Sequence, residues 1–260
     1  MTGRVAKQAA EWAPAALVLV AVLAVWQGAV DAFHVQQFLL PKPTVIASAF
    51  WNARRTLWPA GWYTFKEALG GFAIGSSLGI LFAALVSRFR GLGVALMPFA
   101  IAANAVPIIA FAPIANIWFD PLSPHSKMAI AAVLCFFPVM VNTLRGLTSV
   151  RPQQVELMRS YAAGEFEIFR RVRVPTALPY VFTALKVASV LAMIGAIVGE
   201  YFGGPLNALG VLINSDAQIF DFVTAWAGIL VASLLGISLY LAVVLAERLV
   251  VRWAPETRDS

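Results

Sequence analysis

Six apolar runs, at 13–31, 65–87, 94–118, 128–145, 179–201 and 224–247, are each near the ~20 residues a helix needs to cross a bilayer core. In hydrocarbon every backbone N–H and C=O must find its partner within the chain, so runs of this length are helices. Hydrophobic residues make up 60% of the chain and charged residues only 12%, about half the ~25% charge of an ordinary soluble domain. The expected fold is therefore all-α: a polytopic membrane protein of about six transmembrane helices. Pro98, Pro107 and Pro113 interrupt the third run, and each removes a helix hydrogen bond. Gly71, Gly75 and Gly79 recur every fourth residue in the second run, a spacing that lets two helix backbones approach closely.

The charge of +6 invites a nucleic-acid reading, but its distribution is topological. With the N-terminus inside, the inner segments carry 13 basic residues and the outer ones five, Lys42, Arg54, Arg55, Lys66 and Lys127. The outer segment 200–223 is acidic, with Glu200, Asp216 and Asp221. This is the positive-inside bias of a membrane protein, and no nucleic-acid partner is expected. It divides the chain into a cytoplasmic N-terminal segment, 1–12, a membrane domain, 13–249, and a cytoplasmic tail, 250–260. The start resembles a secretory signal, but its apolar run is long for one and further spans follow, so a retained first helix is expected.

The polar stretch Arg145–Pro179 must lie in water, as a cytoplasmic loop of residues 146–178. Its apolar residues nevertheless recur at helical spacing: Val155, Met158, Ala162, Phe166 and Phe169. Glu156, Arg159, Ala163, Glu167 and Arg170 fall on the opposite side, which describes an amphipathic helical element. Such a stripe is buried either against the protein's own spans or against a partner. Elsewhere, the connector 32–64 carries Trp51, Trp58 and Trp62 and reads as a short helix at the outer surface. Residues 119–127 read as a short outer turn.

Catalytic and metal chemistry is not legible. None of the five lysines follows a glycine, so no phosphate-binding loop of the form G-x-x-x-x-G-K-[ST] exists. His34 and His125 fall in separate outer segments, no H-E-x-x-H occurs, and the single Cys135 sits among apolar residues as a packing group. No metal site and no intrinsic enzyme activity are expected. Ionisable residues in the spans are few: Lys66 and Glu67 at the start of the second, Lys186 in the fifth and Glu200 at its far end. Lys186 either snorkels to the inner surface or faces a polar pathway. Glu200 reads as an interfacial carboxylate near the outer surface or as a gate residue. Asn104 and Asn142 are polar groups in apolar runs, suited to interhelix hydrogen bonds or to contacts along a translocation path.

The loop carries a specific pattern. Glu156-Leu-Met-Arg-Ser-Tyr-Ala-Ala-Gly164, followed by Phe166, Ile168-Phe169-Arg-Arg and Val174-Pro-Thr-Ala-Leu-Pro179, resembles the cytoplasmic EAA loop of binding-protein-dependent ABC importer permeases. Phe137-Pro-Val-Met-Val-Asn-Thr-Leu-Arg-Gly146 and Ile194-Gly-Ala-Ile-Val-Gly-Glu-Tyr-Phe-Gly203 fit the same family. The likeness is strongest to its nitrate/sulfonate/bicarbonate branch, which includes permeases for taurine and for pyrimidine and riboflavin precursors. It implies a type I importer fold in a bacterial inner membrane and import of a small polar or anionic organic solute. The implied partners are a cytoplasmic ABC ATPase dimer, an extracytoplasmic solute-binding protein and a second permease copy, most simply a homodimer. It implies no cofactor on this chain, with ATP and Mg held by the ATPase. The ATPase-coupling residues carried over are Glu156, Arg159, Ala162, Ala163 and Gly164, with Phe166 and Phe169 behind them. Two departures stand out. The E-A-A triplet reads Glu156-Leu157-Met158, and Ala162 stands where the family has glycine, with a glycine only at 164, which points to a displaced or less sharp turn. The alternative from another class is a stand-alone secondary carrier or channel, for which Lys186 and Glu200 are the available gating charges.

Overall fold

A computed structural model of the chain describes residues 2–89, 95, 98, 99, 102 and 107–253, with side chains from residue 13 onward except 15 and 16. The described elements are helical, and no strand occurs among them. They are α1 (Thr2–Ala32), α2 (Pro43–Ser87), α3 (Ile108–Phe119), α4 (Pro124–Thr148), α5 (Pro152–Ser160), α6 (Glu165–Ile168), a π-helical turn (Phe169–Arg173), α7 (Val174–Tyr201), α8 (Leu209–Gln218) and α9 (Phe222–Val250). Among the described residues, four helical segments are long and apolar enough to cross a membrane: α2, α4, the continuous stretch Glu165–Tyr201, and α9. Leu17–Ala32 and Ile108–Phe119 are shorter apolar helices. Together they account for about six membrane-embedded helices, as the apolar runs predict.

Packing divides the chain into two compact units, Met1–Trp58 with Leu212–Val231, and Pro59–Val211 with Ala232–Ser260. In the first, Trp26 and Trp226 meet edge to face with ring centroids 5.3 Å apart. There Lys42 pairs with Asp31, while Gln27 accepts from the Thr44 hydroxyl at 3.3 Å. The second unit holds the 146–178 loop and all the buried ionisable groups discussed below.

Within the second unit, the glycine face of α2 lies directly on α4. A Cβ placed at Gly75 would stand 2.3 Å from the Ala132 carbonyl oxygen, and one at Gly71 2.4 Å from the Ala131 Cβ. The small-residue spacing thus serves packing inside one chain. Ala83, Val86, Met140, Val141 and Leu144 continue this contact as a core cluster, flanked by Phe136 and Phe137. On its other side α4 runs along α7: a Cβ at Gly195 would stand 2.7 Å from the Ala131 Cα, and Cys135 is fully buried there. Ala112, Ala115 and Ile130 seat α3 on α4.

One expectation about elements needs correction. The connector 32–64 does not hold a separate surface helix: α2 begins at Pro43 and runs 45 residues to Ser87, about 68 Å at ~1.5 Å per residue. Its only internal proline is Pro59, and no other breaker separates the amphipathic start from the apolar run. The first turns therefore reach beyond a hydrocarbon core of ~30 Å. Trp51, Trp58 and Trp62 remain about half exposed or more, as interfacial tryptophans do. The third run, 94–118, is described chiefly over its second half, where α3 begins directly after Pro107. Asn104 lies outside the described residues.

Candidate functional site

The loop between α4 and α7 is where the sequence concentrates its specific pattern, and its backbone explains the departure at Ala162. The amphipathic stretch is not one helix. α5 ends at Ser160 and a new helical segment starts at Glu165. The break is a Schellman cap: the Ala162 N–H donates to the Arg159 carbonyl at 2.9 Å and the Ala163 N–H to the Met158 carbonyl at 3.1 Å. Ala162 occupies the left-handed position of that motif, with φ 59°. Glycine is favoured there because it has no Cβ. The turn is formed at Ala162 itself, with alanine at its left-handed corner. Gly164, by contrast, has φ −72° and open space where a Cβ would stand, so that position does not require glycine.

Left-handed backbone costs an L-residue roughly 1–2 kcal/mol. Ala162→Gly is accordingly expected to tighten the turn by about 1 kcal/mol, read as roughly fivefold slower amide exchange at Ala162 and Ala163. Unchanged exchange would mean that the turn is held by contacts outside the cap.

Side chains brace the same turn. The Glu165 carboxylate takes a 2.7 Å contact from the Arg159 guanidinium across the break and lies 3.9 Å from Arg173. Arg171 pairs with Glu167 at 3.1 Å. Ile168 is fully buried and anchors α6. The π-helical turn that follows gives the segment an irregular joint before the long apolar α7. Beneath the loop an open cleft of about 600 Å³ is lined by Arg88 and Leu85 from the end of α2 and by Arg159, Phe166, Phe169 and Arg173.

No residue of α5 is buried. Leu157 is 58% exposed, Tyr161 78% and Phe166 75%, so these apolar side chains are not covered by the protein's own helices. Glu156, Arg159, Ala162 and Gly164 are also exposed, and Ala163 and Phe169 are half-buried. The structure thus gathers the seven loop candidates on one short, braced projection.

The candidates along the spans are not gathered in this way. Asn142 is half-buried and its amide donates to the Pro138 carbonyl at 2.8 Å, within its own helix. The Lys186 ammonium meets the Glu247 carboxylate of α9 at 2.9 Å, both side chains about a quarter exposed. Glu200, read from the sequence as an interfacial carboxylate or a gate residue, is enclosed by protein, with only 1% of it exposed. The bend after Tyr201 folds residues 204–210 back over it. Its Oε1 accepts from the Thr64 hydroxyl at 2.7 Å and its Oε2 from the Gly210 N–H at 2.6 Å. Thr64 Oγ1 in turn accepts from the Leu209 N–H at 3.0 Å. Two first-turn amides of α8 are thereby satisfied from α2 and α7.

Around this network lie two residues that the sequence reading named without making them site candidates. Glu67 is 1% exposed and Lys127 fully buried, so Lys127 is not an outer-loop charge. α4 begins at Pro124, and the lysine ammonium turns back to the Pro121 carbonyl and to Ser126. A signal was available in the periodicity. Glu67 stands four residues before Gly71, and Lys127 four before Ala131, which places each on the face where α2 and α4 meet.

Comparison with known proteins gives a consistent picture. Residues 75–252 match the family of binding-protein-dependent transport system inner membrane components. The riboflavin transport system permease protein RibX of Chloroflexus aurantiacus is 32% identical over 90% of this chain and 88% of its own length. The formylaminopyrimidine transport permease protein ThiX of Halalkalibacterium halodurans is 35% identical over 84% of this chain and 87% of its own. The putative aliphatic sulfonates transport permease protein SsuC of Escherichia coli is 30% identical over 91% and 90%.

Proposed function

The chain belongs to the family of binding-protein-dependent transport system inner membrane components, an ABC transporter permease of the multi-pass membrane kind, and on that premise we propose that it couples solute import to ATP hydrolysis on a separate subunit. The ATPase dimer docks from the cytoplasm on the 156–170 loop and carries the ATP and Mg. An extracytoplasmic binding protein delivers the solute, and a second copy of the permease completes the path. The solute is a small polar or anionic organic molecule. The named relatives transport riboflavin, a formylaminopyrimidine and sulfonates, which spans both descriptions.

The observation that carries this reading is the loop itself. It is braced by a Schellman cap and a Glu165-centred ion pair, yet it leaves Leu157, Tyr161 and Phe166 exposed. A rigid projection with uncovered apolar side chains on a polar segment is a surface built to be buried by a partner. Arginines around it favour a partner groove of acidic character and set orientation more than affinity. A stand-alone carrier or channel has less support. Its two gating charges, Lys186 and Glu200, are both engaged inside the chain.

Purification of the tagged protein from its native membrane in mild detergent tests the proposal. Recovery of an ABC ATPase in stoichiometric amount is the expected result. Recovery of the permease without any ATPase, in a preparation where other membrane complexes stay intact, would favour the carrier reading.

A further inference from the structure

The cleft beneath the loop has an excess of positive charge in its wall. Arg88 lines it from the end of α2, Arg159 and Arg173 from the loop, and Glu165 is the one carboxylate among the described lining residues. Three arginines against one carboxylate leave two positive charges in excess. Glu165 is engaged by Arg159, whose guanidinium donates to it at 2.7 Å. Arg173 lies 3.9 Å from the same carboxylate, too far for a hydrogen bond. Its side chain is only 16% exposed, so water reaches little of a guanidinium that carries five N–H donors. Among the described residues Arg173 has no second ion pair and Arg88 has none. Arginines with unspent donors on one cleft make a site for an anion, and phosphate oxygens match their planar fork.

The rest of the wall is apolar. Leu85, Phe166 and Phe169 line it, and Leu85 continues a stripe on α2. Leu78, Leu81 and Leu85 recur at spacings of three and four, so they share one helix face. All three are exposed, on a helix long and apolar enough to cross a membrane. The stripe ends at the cleft, and Arg88 stands just past Ser87, the last residue of α2. A free phosphate would use the arginines and leave the stripe uncovered, whereas an amphiphile uses both. The volume, about 600 Å³, falls within the ~300–1,000 Å³ of small-molecule sites and admits a lipid headgroup. We propose that the cleft seats the phosphate headgroup of an anionic phospholipid, held by Arg88 and Arg173, with its acyl chains along Leu78, Leu81 and Leu85.

Basic pockets beside membrane helices recognise anionic headgroups by this combination of charge and position at the membrane boundary. Bound there, the headgroup links the end of α2 to the base of the loop and neutralises charge that Glu165 alone does not. Arg159, Phe166 and Phe169 also belong to the proposed docking surface. The test therefore works through Arg88 and Arg173, which that surface does not use, and it needs no ATPase.

Native mass spectrometry of the full chain in mild detergent, with any co-purifying subunits, provides the test. The protein is titrated with short-chain phosphatidylglycerol, with phosphatidylcholine, and with inorganic phosphate. Wild type is expected to hold phosphatidylglycerol at least about tenfold more tightly than phosphatidylcholine, the effect of charge-assisted hydrogen bonds to one anion. Inorganic phosphate at equal concentration is expected not to displace it. Arg88→Gln/Arg173→Gln is expected to erase the preference. Arg170→Gln/Arg171→Gln removes the same charge outside the cleft and should leave the affinity within about twofold, because exposed charges contribute little. Arg88→Gln alone, at an exposed position, leaves the fold intact and should weaken phosphatidylglycerol binding in the same direction. Equal binding of the two lipids, equal losses in the two double variants, or displacement by phosphate would overturn the proposal. Wild-type binding of phosphatidylglycerol by Arg88→Gln would overturn it as well.

Discussion

Replacing Glu200 with alanine is expected to lower the melting temperature of the purified protein by about 10 °C. The side chain is 1% exposed, and its two oxygens take the Thr64 hydroxyl and the Gly210 N–H. Alanine strands the Gly210 N–H, leaves the Thr64 hydroxyl only the Ala60 carbonyl at 3.2 Å and opens a void at the junction of α2, α7 and α8. Leaving a buried donor unsatisfied costs about 1–3 kcal/mol, and the void left by a large buried side chain adds about 2 kcal/mol more. For a domain of this size each kcal/mol shifts the melting temperature by ~2–4 °C. Glu200→Gln keeps one oxygen acceptor and turns an N–H₂ toward the other donor, so its loss is expected to be intermediate. A Glu200→Ala protein that melts with wild type would show that the network is dispensable to the fold.

Ala163→Arg is expected to weaken association with the ATPase by at least about 30-fold, the consequence of losing a contact worth ~2 kcal/mol at the centre of an interface, and to abolish uptake of the solute. Ala163 is half-buried at the outer corner of the Schellman cap. An arginine there adds bulk and charge at the proposed docking surface, outside the buried core. Gly164→Ala is the matched control: its Cβ would enter open space at an ordinary φ, so association and uptake should persist. Binding and uptake at wild-type levels in Ala163→Arg would place the coupling surface elsewhere.

The sequence made the helical architecture legible because hydrocarbon admits few alternatives. Runs of ~20 apolar residues have to be helices, and the four-residue glycine spacing of α2 marks the face that meets α4. Lengths were less legible. The span predicted over 65–87 is the end of a helix that starts at Pro43, since nothing between the two except Pro59 stops a helix and hydropathy marks only the part that lies in lipid. The loop pattern located the projection but not its shape. Alanine at 162 resembled a shifted turn, whereas the backbone bonds of the cap, invisible to composition, hold residue 162 at φ 59°.

The buried charges were the least legible part of the candidate site. Glu67, Lys127 and Glu200 all lie near the ends of apolar runs, where hydropathy assigns charge to the membrane surface. Whether such a residue meets water or protein depends on long-range folding, here the return of residues 204–210 over Glu200 and the start of α4 at Pro124. Lys186 illustrates the same limit, because its partner Glu247 lies 61 positions away.

The central claim, that the 156–170 loop is the seat of a separate ATPase, is tested most directly by site-directed cross-linking in native membranes. Ala163→Cys places a thiol at the half-buried outer corner of the cap, while the native Cys135 is fully buried in the helical core and does not compete. A bifunctional thiol reagent is expected to give one major adduct whose added mass is an ABC ATPase, with no adduct from wild type. An adduct confined to the permease chain itself, in membranes where the ATPase is present, would contradict the account and return the loop to packing against its own spans.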